Sequence, residues 1–297
     1  MSVPQRIAIT GASGLIGSAL VGHLKSEGHT VQRLVRRDVV SADEIKWDPK
    51  TGYVDVEALQ GVDAVIHLAG VGVGDKRWTK KYKAEILNSR LLGTTAIAGA
   101  VAQVKPDVFI SASAIGWYGE SGNRSVVETD LAGDDFLAAV CREWEAAADL
   151  AGDVRTVKIR TGLVLDATGG ALGRMLPLFK LGLGGKLGSG KQWWSWITLH
   201  DLIRALDFAL VNKEISGPVN LTGPNPVTNQ EFTSALARAL SKPALFPAPA
   251  IALKIALGGF SSEILGSKKV IPQKLIDAGF TWDYPHISQA LDALAEK

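Results

Sequence analysis

The chain has 297 residues, 46% of them hydrophobic and 21% charged, with a formal net charge of +2. This is a globular composition with length for one large domain or two intimate ones, and its charge gives no global pull toward nucleic acid or an anionic membrane. The only cysteine is Cys141, and the five histidines, at 23, 29, 67, 200 and 286, show no metal-ligand spacing; a disulfide framework and a thiolate metal site are excluded, and a cytoplasmic location is expected.

The N-terminus enters an apolar run, Arg6–Thr10, within a few residues, which leaves no room for a signal peptide. That run predicts a buried strand, and apolar residues three and four apart predict a helix over Leu15–Glu27. Between them lies Thr10-Gly11-Ala12-Ser13-Gly14-Leu15-Ile16-Gly17. A strand, a glycine loop and a helix start in this order describe a phosphate cradle. Gly11 permits the tight turn, Gly14 lets the backbone approach a pyrophosphate, and Gly17 lets helix and strand pack closely. The helix N-terminus offers free N–H groups to the anion.

A second strand is predicted over Thr30–Val35, followed by Arg36 and Arg37 with no acid before Asp38. A carboxylate here selects NAD through the ribose 2′-OH, whereas an arginine accommodates the 2′-phosphate. The pair therefore points to NADP(H), with solvated loop charges as the plainer alternative.

Further strands are predicted over Glu44–Trp47, Ala64–Leu68, Val108–Ala112 and Arg155–Ile159, with helices over Thr79–Val104 and Asp134–Leu150. This alternation predicts an α/β fold built on a doubly wound parallel sheet. After Gly162 the texture changes. Glycines crowd Gly169–Gly190, and Trp193, Trp194 and Trp196 precede His200-Asp201. The tryptophans suit either a pocket wall or a core; the His-Asp pair suits an acid–base role or the opening of a helix near Leu202–Leu210. Gly217–Leu221 reads as one more strand, and Thr228-Asn229-Gln230-Glu231 as a capping box opening a helix through Leu240. The apolar stretch Pro243–Phe260 is broken by Pro247, Pro249 and Lys254, so a core helix is expected there rather than a membrane span. Residues 1–165, completed by 191–222, are expected to form the dinucleotide-binding domain. Residues 166–190 and 223–297 would form a small α-rich cap.

Thr10–Gly17 together with His67-Leu68-Ala69-Gly70 resembles the short-chain dehydrogenase/reductase superfamily, extended branch, with its Rossmann fold. More narrowly, the chain resembles epimerase-family proteins labelled cell-division-inhibitor-like, or SulA-labelled. The segments that carry this are Arg77-Trp78, Asn88-Ser89-Arg90, Trp117-Tyr118-Gly119, Trp144–Ala147, Arg160–Leu165, Gly188-Ser189-Gly190 and Asn220-Leu221-Thr222. The resemblance implies that Leu68, Ala69 and Gly70 line the cofactor and that Glu85, Arg90 and Leu163 reach bound NADP. For Glu85 and Arg90, surface ion pairs are the alternative.

Competent members of the superfamily use a tyrosine with a lysine four residues later. Here the tyrosines are 53, 82, 118 and 284, and Glu57, Ile86, Gly122 and Ser288 follow at that spacing. The relay is missing, and positioned acid–base groups contribute about 10²–10⁴-fold to rate. Ser113 aligns with the serine that bonds the substrate carbonyl. Tyr118 is the surviving candidate proton donor, with packing as its alternative. Cys141 reads as a buried structural thiol. The sequence thus describes an NADP(H)-binding oxidoreductase or epimerase for a small hydroxyl or carbonyl compound, monomeric or homodimeric, or else a non-catalytic NADP(H)-binding sensor or regulatory protein.

Overall fold

A computed structural model describes residues 3–295. The first half alternates strand and helix: β1 (Arg6–Thr10), α1 (Leu15–Ser26), β2 (Thr30–Val35), β3 (Glu44–Asp48), β4 (Tyr53–Val54), β5 (Ala64–His67), α2 (Lys80–Val104), β6 (Val108–Ala114), β7 (Ser125–Val126), α3 (Phe136–Ala148) and β8 (Thr156–Thr161). The second half holds β9 (Leu163–Leu165), α4 (Gly170–Lys180), β10 (Trp193–Trp194), β11 (Trp196–Thr198), α5 (Leu199–Val211), β12 (Gly217–Leu221), β13 (Val227–Thr228) and α6 (Asn229–Ala239). It ends with α7 (Ala250–Leu257), α8 (Ser261–Leu265), β14 (Lys269–Val270), α9 (Gln273–Asp277) and α10 (Ile287–Ala295).

Eight strands form one sheet in the order β12-β8-β6-β5-β1-β2-β3-β4. Every pairing in it is parallel except that of the β4 edge with β3. From β1 the chain winds outward through β2 and β3, then returns to β5 and winds the other way. The strand order therefore reverses between β1 and β5, and a crevice opens at their carboxyl ends.

Period-two alternation sends Ile7 and Ile9 to one face and Ala8 to the other. The first face packs with Ile66, Ile159 and Leu20 of α1 and with Leu202 and Leu206 of α5. The second packs with Val65, Phe109 and the α2 residues Ile97 and Val101. A sheet covered on both faces requires near-continuous apolar strands, which explains why the strands were legible.

Side chains cap the helices where the sequence signals it. Thr79 accepts from Tyr82 N–H at 3.1 Å and Asp135 from Ala138 N–H at 2.8 Å. The Thr228–Glu231 capping box closes in both directions. Part of the glycine-crowded stretch is the helix α4, whose Leu172, Leu176 and Phe179 are buried against Phe232 and Leu236 of α6. One expectation is corrected. The Pro243–Phe260 stretch contains the helix α7, but none of its residues is buried, so it is no core helix. Its apolar residues are distributed all round instead of along one stripe: Ala250, Leu253 and Leu257 are half-buried, while Ile251 and Ile255 face outward. Among the described residues, no helix is long and apolar enough to cross a membrane.

Candidate functional site

The crevice between β1 and β5 is built by close backbone approach. Gly11 has φ +69°, and a β-carbon on it would lie 2.9 Å from the Leu68 carbonyl carbon. A β-carbon on Gly17 would lie 2.1 Å from the Gly11 carbonyl oxygen. Only glycine lets the loop fold onto the helix and abut the Leu68 strand end. Gly14 occupies the N-cap of α1 and offers no side chain to its first turn. Ser13 and Gly14 are exposed, and Leu15 and Ile16 half-buried, at a helix end whose N–H groups and positive dipole face the crevice mouth. These features fit a pyrophosphate group.

Thr10 pins the two sides of the crevice together. Its hydroxyl accepts from Leu68 N–H at 3.1 Å and Ala69 N–H at 3.3 Å, and pairs with His67 Nδ1 at 2.7 Å. With both lone pairs taken, the hydroxyl donates to Nδ1, which leaves the proton of neutral His67 on Nε2. Burial holds this imidazole down to about 3. Arg90 of α2 reaches the same loop. Its Nη1 donates to the carbonyls of Val71 at 3.0 Å and Ile86 at 3.1 Å, its guanidinium lies over the Trp144 ring, and Gly70 is its near neighbour. Glu85 lies further out, exposed and 3.8 Å from Lys76. Leu163, at the start of β9, is tied to the Ser195 carbonyl at 2.8 Å. A β-carbon on Gly170 would touch both the Val164 carbonyl and Leu15, so β9, α4 and the start of α1 converge.

At the end of β2 the two arginines part. Arg37 forms a two-pronged ion pair with Glu44, at 2.9 Å and 2.5 Å, and its hydrogen bond holds that carboxyl below the usual range. Arg36 is exposed, and its guanidinium has no partner among the described residues. One cation is neutralised within the fold and the other stays unpaired among the described residues.

Ser113, Arg160 and Asn220 form a row across three neighbouring strands, each in register with the next. Glu145 of α3 covers this row. Its Oε1 accepts from Ser113 Oγ at 2.7 Å and Arg160 Nε at 2.8 Å, and its Oε2 from Arg160 Nη2 at 3.0 Å. Arg160 Nη1 donates to the Tyr118 hydroxyl at 3.0 Å, and that hydroxyl donates to Asn220 Oδ1 at 2.7 Å. Tyr118 is buried, and burial pushes its phenol up to about 12 against the opposing pull of the Arg160 cation. Its hydroxyl is thus directed to the outer strand β12, three strand spacings from β5, or roughly 14 Å. Ser113 remains at the end of β6, beside the strand that carries His67.

Cys141 and Glu145 stand four apart on the α3 face that meets the end of β6; the thiol lies 3.6 Å from the Ala114 carbonyl. Burial, and then the Glu145 carboxylate, pushes that thiol up to about 12. Sequence reading passed over Glu145 and Arg160 as site residues. The usable signal was a single arginine following the apolar alternation of Val157 and Ile159.

The tryptophans divide. Trp196 is fully buried and Trp194 packs edge-on against Phe232, whereas half-buried Trp193 carries Lys269 over its ring at 4.2 Å. His200 opens α5 without capping it, since Thr198 does so. His200, Asp201 and Asp283 come together, but Arg204 Nη1 already lies 3.1 Å from both carboxylates and supplies the cation. This cluster borders a groove of about 550 Å³ that includes Ala19 and Leu165 and none of the cradle residues.

The NAD dependent epimerase/dehydratase family matches residues 7–138, and a domain of unknown function matches residues 248–294. An epimerase family protein of Mycobacterium bovis is 46% identical over 288 residues, covering 96% of each chain. The crystal structure of human epimerase family protein SDR39U1 (isoform 2) with NADPH is 33% identical with a TM-score of 0.90, covering 98% of this chain and 99% of that one. A nucleoside-diphosphate sugar epimerase from Corynebacterium glutamicum is 36% identical with a TM-score of 0.81, covering 99% of this chain and 59% of that one. With a relative 46% identical along 96% of both chains and the family's own match over residues 7–138, this chain belongs to the NAD dependent epimerase/dehydratase family.

Proposed function

We propose that the protein is an NADP(H)-dependent oxidoreductase or epimerase acting on a small hydroxyl- or carbonyl-bearing compound. The observation that carries the reading is the unpaired Arg36 at the end of β2, beside a cradle that only glycine permits, while Arg37 is consumed by Glu44. The human relative crystallised with NADPH supports the same preference. Gly11, Ser13, Gly14, Leu15, Ile16 and Gly17 hold the pyrophosphate, Arg36 the 2′-phosphate, and the Leu68–Gly70 loop with Arg90 the half beyond it. The bound cofactor supplies or accepts a hydride. Ser113 holds the reacting oxygen, turning its hydroxyl from Glu145 toward substrate. Tyr118 acts as a positioning residue, since its phenol is sealed and stays protonated, and water in the crevice carries the proton. The segments 166–190 and 223–297 form the substrate side of the cleft.

The test is stopped-flow absorbance of the bound nicotinamide, with NADPH mixed against aldehydes, ketones and quinones and NADP+ against nucleotide sugars. Turnover with one class supports the proposal, and tight NADPH binding without turnover overturns it. One observation favours a second reading, a non-catalytic NADP(H)-binding regulator of the kind the cell-division-inhibitor-like label suggests: none of the four tyrosines has a lysine four residues later. The same measurement separates the two.

A further inference from the structure

The cap carries an apolar surface that nothing in the fold covers. Leu181, Leu183, Leu245, Phe246, Ile251 and Ile255 are each 50–76% exposed. They belong to one locality. Leu183 bridges to Ala244, Phe246 N–H donates to the Gly184 carbonyl at 3.2 Å, and Leu187 bridges to Ala248, directly before α7. The helix α7, Ala-Ile-Ala-Leu-Lys-Ile-Ala-Leu, leads at its C-terminal end into the glycines that abut Arg77 and Trp78.

The charge around this surface has one sign. Residues 167–200 and 232–262 contain no aspartate or glutamate. Lys180, Lys242 and Lys254 are exposed among the apolar side chains and have no carboxylate partner among the described residues. The net charge of +2 therefore averages two purely cationic segments, with seven lysines and arginines, against a remainder in which 30 acids outnumber 25 bases. Exposed apolar surface of this kind marks an interaction site. We propose that the face formed by residues 178–186 and 242–257 docks on an anionic lipid bilayer surface.

Three physical points select that occupant. A second copy meeting through a two-fold axis would set this face against itself, so lysines would oppose lysines with no acid to pair them. Protein interfaces are depleted in lysine and draw their affinity from Trp, Tyr and Arg, whereas this face holds leucine, isoleucine and lysine. Lysine stems snorkel, covering apolar surface while their ammonium groups reach lipid phosphates. Shallow insertion needs no spanning helix.

Co-sedimentation of the full-length protein with vesicles tests this. Phosphatidylcholine vesicles containing phosphatidylglycerol are expected to bind it roughly tenfold more tightly, or better, than phosphatidylcholine alone, with the difference lost at high salt. The variants Ile251→Ser/Ile255→Ser and Lys180→Glu/Lys254→Glu are each expected to abolish the excess while NADPH binding and thermal midpoint are retained. Equal binding to both vesicles, or undiminished binding by both variants, overturns the proposal. So does a concentration-dependent dimer that Ile251→Ser dissociates.

Discussion

Arg160 grips Glu145 through two parallel hydrogen bonds, Nε to Oε1 at 2.8 Å and Nη2 to Oε2 at 3.0 Å. Their side chains are only 2% and 6% exposed. The same carboxylate holds Ser113, so the one pair that closes the row beneath α3 also sets the hydroxyl nearest the crevice. A lysine at position 145 would face Arg160 across that contact. Glu145→Lys is therefore expected to destabilise the protein by about 3–5 kcal/mol in urea unfolding, because Arg160 is left buried without its counter-charge. The double variant Glu145→Leu/Arg160→Met is expected to recover most of that loss, and failure to recover it would show that the pair is not the cause.

Arg36→Ala should weaken NADPH binding by about 10–150-fold, the worth of a charge-assisted hydrogen bond of about 1.5–3 kcal/mol, and leave NADH binding nearly unchanged. Arg37→Ala should act mainly on stability, since its partner is Glu44. Fluorescence titration with both cofactors reads the difference; equal losses for NADPH and NADH in Arg36→Ala would refute the 2′-phosphate role.

Two glycines of α1 should respond with opposite sign. Gly17→Ala drives a methyl group into the Gly11 carbonyl, 2.1 Å away, and must displace the loop. A loss of about 1–3 kcal/mol in stability, together with loss of cofactor binding, is expected. A β-carbon on Gly22 meets nothing within 4 Å. Gly22→Ala should stabilise by about 0.5–1 kcal/mol through helix propensity and a less free unfolded chain. Thermal midpoints of the two variants should bracket the parent.

His67 makes stability depend on pH. In the folded protein its imidazole stays neutral down to about 3, whereas an unfolded histidine protonates near about 6.5. Between those values the unfolded chain binds the extra proton, so stability falls as pH drops, by up to about 1.4 kcal/mol per pH unit. Above about 6.5 both states are neutral and the contribution is flat. In His67→Gln this component should vanish, and urea unfolding from neutrality to about pH 4.5 should show a shallower slope than the parent. Identical slopes would place the titration elsewhere.

Cys141, whose thiol is held up to about 12, should resist alkylation in the folded protein at mildly alkaline pH and react fully in denaturant. Mass spectrometry of iodoacetamide-treated protein reads this directly, because no other cysteine competes. Rapid native labelling would mean that the end of β6 opens readily.

The sequence by itself determined the dinucleotide half of the molecule. Strands buried on both faces must be apolar runs, and helices between them must show a stripe, so Arg6–Thr10, Thr30–Val35 and Gly217–Leu221 were readable to the residue. Gly17 was legible because the contact that demands it, with Gly11, lies within a few residues of chain, and Gly11 because its turn needs a positive φ. The tertiary structure decided what depends on distant partners. It separated Arg36 from Arg37 through Glu44 and turned Tyr118 toward Asn220, 102 residues away. It placed Glu145 over Ser113 and left α7 uncovered. Local periodicity records which side chains avoid water, but not which of two arginines finds a carboxylate, nor whether an apolar helix finds a neighbour. Those outcomes depend on how separate segments pack together, whether seven residues apart, as Arg37 and Glu44, or a hundred.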